Sequence, residues 1–135
     1  MRFAEERRQA LLDLGSVLEE AERAGDTVVV EGARDTEALL RLGFHGRIEA
    51  CSRVGVSDGD LVEGLFRLGG AVVILTDFDD EGRRLNRRLS RLLELRGVKV
   101  RRRLRRAVGR LMAVLGVHAI EALDDVDERL REAGP

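Results

Sequence analysis

The sequence predicts an α/β fold, a parallel sheet of about four strands flanked by helices. Short β-branched runs alternate with longer segments whose apolar residues recur at helical spacing, the order expected when helices cover a parallel sheet. Glycines punctuate almost every junction. Acidic residues fall directly after two of the strand-like runs, where open α/β sheets place their binding crevice.

Taken in order, residues 3–24 carry Leu11, Leu14, Val17, Leu18 and Ala21 on one helical face, and Gly25 closes that helix. Thr27-Val28-Val29-Val30 reads as a buried strand ending at Glu31. Asp35 can charge the first turn of a helix that runs to about Leu42 and stops at Gly43. Residues 47–51 are expected as a second strand, and residues 52–59 as loop. Residues 58–68 form a helix with Leu61, Leu65 and Leu68 on one side, ended by Gly69-Gly70. Ala71-Val72-Val73-Ile74-Leu75-Thr76 gives the clearest strand signal. An arginine-rich helix follows over residues 83–96, with Leu85, Leu89, Leu92, Leu93 and Leu95 available for burial. Val98-Lys99-Val100 is expected as a short fourth strand. A basic helix to about Leu115 and an acidic tail containing a turn and a terminal helix complete the chain.

The 135 residues suit one core. With 44% hydrophobic and 36% charged residues, the chain is too apolar for disorder and too charged for a span of about 20 apolar residues. No secretory leader is evident at the N-terminus, so cytoplasmic residence and no membrane contact are expected. The single cysteine, Cys51, excludes an internal disulfide and a cysteine-rich zinc cluster, and reads as a small hydrophobe. Tyrosine is absent, which excludes a tyrosyl-phosphate intermediate. His45 and His118 carry no motif and read as structural.

The formal net charge of -1 conceals segregation. Residues 83–110 hold thirteen basic side chains against one acid, Glu94, leaving that segment at +12. A cationic flank beside an acidic cluster is what a phosphate backbone requires, and points to RNA or DNA as partner. Arg84, Arg87, Arg88 and Arg91 share one face of the predicted helix, and Arg101, Arg102 and Arg103 continue the stretch. The acids themselves are Glu31 and the run Asp77-Phe78-Asp79-Asp80-Glu81-Gly82. If their strands are neighbours the carboxylates converge, and hard oxygen donors without histidine or cysteine select Mg²⁺, with Mn²⁺ as the other candidate.

Val29-Val30-Glu31-Gly32-Ala33-Arg34-Asp35, followed by Leu75-Thr76-Asp77-Phe78-Asp79-Asp80-Glu81-Gly82, resembles the two motifs of the Toprim domain, shared by topoisomerases, bacterial primases, certain nucleases and recombination mediators. The resemblance covers residues 26–101, with residues 1–25 as an added helix and residues 102–135 as a helical extension. The arginine-rich continuation and the His118-Ala119-Ile120-Glu121-Ala122-Leu123 ending are further similar to small standalone archaeal-type Toprim proteins and to the ribonuclease that matures ribosomal RNA. The resemblance implies that Glu31 is the acid beside the metal or a proton-transfer group, Asp77 a ligand able to bridge two ions and Asp79 a second-metal ligand. It ranks Glu81 below these as a metal ligand, and matches Asp35 to the acid of the family's first motif, a position open equally to a structural role at the helix start. The activity it implies is Mg²⁺-dependent hydrolysis or transfer at nucleic-acid phosphodiesters, with water replacing the missing tyrosine.

Two other expectations stand beside it. One is a nucleic-acid-binding adaptor with a structural or vestigial metal site, whose protein partners perform the catalysis. The other, a phosphoacceptor receiver domain, would need Lys99 as its partner lysine, yet Lys99 falls inside a predicted strand.

Overall fold

The structure, a computed structural model, describes residues 2–134, with the side chain of residue 2 left aside. Helix α1 (Arg2–Arg23) leads into strand β1 (Thr27–Val30), helix α2 (Ala33–Arg41) and strand β2 (Arg47–Ala50). Helix α3 (Asp58–Leu68), strand β3 (Val72–Ile74) and helix α4 (Asp80–Arg96) follow. Helix α5 (Arg102–Leu115), a 3₁₀ turn (Ile120–Ala122) and helix α6 (Leu123–Ala133) end the chain. Among the described residues no helix is long and apolar enough to cross a membrane.

The three strands are parallel, in the order β2-β1-β3. Every residue of β1 is buried, because helices cover both faces of the central strand and no position can be polar at low cost. The strand period of two then divides its valines between two cores. Val28 and Val30 join Val73, Leu75 and the apolar stripes of α1, α2 and α5 on one face, whereas Val29 joins Val72, Ile74, Leu65, Leu89 and Leu93 from β3, α3 and α4 on the other. Each such fully buried side chain stabilises the fold by roughly 2 kcal/mol relative to exposure.

Three expectations need correction. The fourth strand is reduced to one parallel bridge between Val72 and Val100, made by Val72 N–H to Lys99 O at 2.9 Å and Arg101 N–H to Val72 O at 2.8 Å. Gly97, with φ of 91°, ends α4, and Val98 N–H still bonds back to Leu93 O, so two residues remain before the chain turns into α5. Leu95, expected in the core, is 76% exposed because it lies on the flank of α4 away from the sheet.

Helix α4 also begins earlier than residue 83. The Asp79 carboxylate accepts from Gly82 N–H at 2.7 Å and starts the helix at Asp80. A Cβ on Gly82 would lie 2.0 Å from Asp77 O, so only glycine lets this first turn close against the end of β3.

Candidate metal and nucleic-acid site

Because β1 and β3 are hydrogen-bonded neighbours, Glu31 and Asp77 leave the sheet side by side. One oxygen of Glu31, Oε2, accepts from Asp77 N–H at 2.7 Å, and Asp77 Oδ1 accepts from Ile120 N–H at 3.3 Å. Among the described residues the second oxygen of each carboxylate has no hydrogen-bond partner. Burial first and the neighbouring Glu31 charge second, with smaller contributions from Asp35 and Asp79 and against the Ile120 N–H, together push the Asp77 carboxyl up to about 6.

The predicted acids do not all meet. The Asp79 carboxylate is turned toward the start of α4, where it caps Gly82, and Glu81 is exposed on the first turn of that helix. Among the described residues no group of three or more His, Cys, Asp or Glu side chains is arranged to hold a metal ion. The structure therefore brings together two of the three principal acids. Their oxygens are the right chemistry for a hard cation, and their mutual repulsion is what such a cation relieves. Asp79 keeps its Oδ1 on Gly82 N–H at the helix start.

Of the two readings open for Asp35, its contacts match the structural one. It is buried, its Oδ2 accepts from Gly32 N–H at 3.0 Å, and its Oδ1 accepts from Glu121 N–H at 3.2 Å, tying the start of α2 to the 3₁₀ turn. Through that turn the Ile120 N–H is held against Asp77. Cys51 is half-buried at the end of β2, and burial, reinforced by the Glu31 charge, pushes its thiol up and keeps it protonated.

The residue that sequence reasoning did not separate from its neighbours is Arg105. It is buried, and its guanidinium donates to Ile74 O at 3.0 Å, Thr76 O at 2.9 Å, Thr76 Oγ1 at 3.2 Å and Asp77 O at 3.3 Å. It also lies 4.3 Å from the centre of the Phe78 ring. Burial, helped by Arg83, draws its pKa down to about 10, while Glu31 and Asp77 act in the opposite direction, so it stays charged at neutral pH. A signal for it existed: Arg105 stands three and seven residues before the buried Val108 and Met112, on the apolar stripe of α5.

The other arginines divide into two groups. Arg84, Arg87 and Arg91 are exposed and make no ion pair among the described residues, as the shared helical face predicts. Arg88 pairs with Asp58 at 2.7 Å, Arg102 with Glu94 and Arg103 with Glu20. Arg101 is committed inward, holding buried Asp26 through bonds of 3.0 and 3.3 Å. His45 is exposed after helix α2, and His118, also exposed, accepts from Phe78 N–H at 2.8 Å through its backbone carbonyl.

No family model matches the chain. It is 33% identical over 125 residues to a UPF0292 protein of Methanosarcina barkeri, covering 93% of this chain and 85% of that one. It is 34% identical over 115 residues to a UPF0292 protein of Pyrococcus furiosus, with 85% and 84% coverage. A solved structure of a protein from Aquifex aeolicus superposes with a TM-score of 0.65 at 24% identity, covering 78% of this chain and 94% of the other, which shows a shared fold.

Proposed function

The chain belongs to the UPF0292 family, and we propose that it is a Toprim-type protein using Mg²⁺, held by Glu31 and Asp77, for phosphodiester hydrolysis or transfer on nucleic acid. The observation that carries the reading is the meeting of Glu31 and Asp77 at adjacent strand ends. Two carboxylates on adjacent strand ends, both half-buried, repel each other at neutral pH, and a divalent cation relieves that repulsion. Bound there, the ion would supply Lewis-acid polarisation of a phosphoryl oxygen and a water of lowered pKa.

The chain's own groups do the rest. The Asp77 N–H fixes the Glu31 carboxylate and leaves its other oxygen open to take a proton from an attacking water. Arg105 fixes the backbone from Ile74 to Asp77, so the acid at position 77 does not drift as charge changes beside it. Exposed Arg84, Arg87 and Arg91 meet backbone phosphates without reading sequence.

One observation favours the adaptor reading: Asp79 is engaged as a helix cap, so two carboxylates meet instead of three. Incubation with labelled RNA and DNA in Mg²⁺, Mn²⁺ or chelator separates the two. Metal-dependent products that vanish in Asp77→Ala support the enzyme. Nucleic-acid binding with no products under any metal supports the adaptor, and products that persist in Asp77→Ala place the chemistry elsewhere.

A further inference from the structure

Between α4 and α5 lies a cleft of about 570 Å³, within the usual size of small-ligand sites. Its lining includes Arg83, Arg102, Arg105, Arg106 and Arg110 and no carboxylate. Arg83 and Arg102 have acids outside the cleft, Asp80 at 3.7 Å and Glu94. Arg105, Arg106 and Arg110 have no ion-pair partner among the described residues. The floor is of a different character, formed by Ile74, Phe78, Val100, Ala113 and Val117. Gly109 lets α5 close on it, since a Cβ there would come within 2.9 Å of the Phe78 ring.

From this pairing of surfaces we infer that the cleft is a nucleotide subsite, its apolar floor taking a base and its arginine rim taking the attached phosphate. A purely inorganic anion would leave the floor unused, and a purely apolar ligand would bury cations without a counter-charge. A nucleotide satisfies both. Phe78 directly follows Asp77 in the chain, and Arg105 both lines the cleft and bonds Asp77 O, so the cleft and the acid pair share their supports. Service as a substrate subsite rests on the reading of Glu31 and Asp77 as the reacting centre; occupancy by a nucleotide does not.

The same chemistry is offered by a free nucleotide and by the terminal nucleotide of a strand. Fluorescence anisotropy in EDTA, on the full chain, uses N-methylanthraniloyl-ATP for the first and a fluorescein-labelled 5′-phosphorylated trinucleotide for the second. At least one probe should bind, and whichever binds identifies the source. Arg106→Glu with Arg110→Glu should weaken binding at least about tenfold, as expected when one or two charge-assisted hydrogen bonds to phosphate are removed. Ala113→Trp, at an exposed position of α5, should weaken it similarly by filling the cleft without altering charge. Thermal melts confirm that both variants fold. Inorganic tripolyphosphate should compete at least about tenfold less well than unlabelled ATP or trinucleotide.

Failure of both probes to bind, wild-type binding by both variants, or equal competition by tripolyphosphate would overturn the subsite. Intact nucleotide binding without any metal response would instead sink the metal-dependent function and leave the subsite standing.

Discussion

The acidic strand ends and the arginine-rich flank differ in how their charges are held. Glu31, Asp35, Asp77 and Asp79 each accept a backbone N–H, which fixes four carboxylates in a small region. Along the flank, Arg84, Arg87 and Arg91 point outward, and Arg88, Arg102 and Arg103 make exposed ion pairs of the kind that contribute little to stability. Arg101 and Arg105 break that pattern by turning inward to the sheet ends. A run of like residues in sequence is therefore not a unit in space: Arg105 supports the acid site, Arg101 holds Asp26 at the opposite, N-terminal end of β1, and Arg84, Arg87 and Arg91 are left facing solvent.

The largest effect that could break this comparison is at Arg105. Arg105→Met should cost about 3 kcal/mol in urea unfolding, because it strands the carbonyls of Ile74 and Thr76. Arg91→Met should cost less than about 0.5 kcal/mol. Equal values for the two would erase the distinction between inward and outward arginines.

A smaller effect concerns the acids. The Asp77 carboxyl rises from 3.8 to about 6 on folding, so the folded state holds its proton more tightly than the unfolded chain does. Its cost is absent below pH about 4, grows as pH rises toward about 6 and is complete above that. Asp77→Asn should accordingly stabilise the metal-free protein by about 1 kcal/mol at pH about 8, after allowance for solvent screening, and leave it unchanged at pH about 3.5. A variant less stable than wild type at pH about 8 in EDTA would mean that the carboxylate is not under strain.

The smallest effect on stability, and the most informative for partners, is at the outward face. Arg87→Glu with Arg91→Glu should leave unfolding nearly unchanged while flattening the salt dependence of nucleic-acid binding, by roughly 0.7 to 0.9 in log–log slope for each phosphate no longer neutralised. An unaltered slope would leave that face merely solvated.

Much of this was legible in the sequence because local chemistry and tertiary structure agree. The β-branched Thr27–Val30 run and the residues 58–68 helix appear with the expected bounds, since glycine or serine chemistry marks their ends. Glu31 and Asp77 were recognisable because each closes a strand. What could not be read was which way a polar side chain turns. Asp79 had two uses, ligand or helix cap, and the choice depends on the close approach of Gly82 to Asp77 O. Residues 98–100 carried strand chemistry, yet the bond from Val98 N–H to Leu93 O consumed part of the run. Arg105 was hidden among thirteen basic residues, although its helical phase with Val108 and Met112 marked it as inward-facing.

The claim that Glu31 and Asp77 hold a divalent cation is tested most directly by thermal unfolding at neutral pH with and without Mg²⁺ or Mn²⁺, in wild type and in Asp77→Asn. Binding to the folded state alone should raise wild-type stability by about 2.7 kcal/mol at a hundredfold excess over Kd, and the rise should be lost in Asp77→Asn. A wild type indifferent to both metals, or a variant that responds as strongly as the wild type, would contradict the assignment.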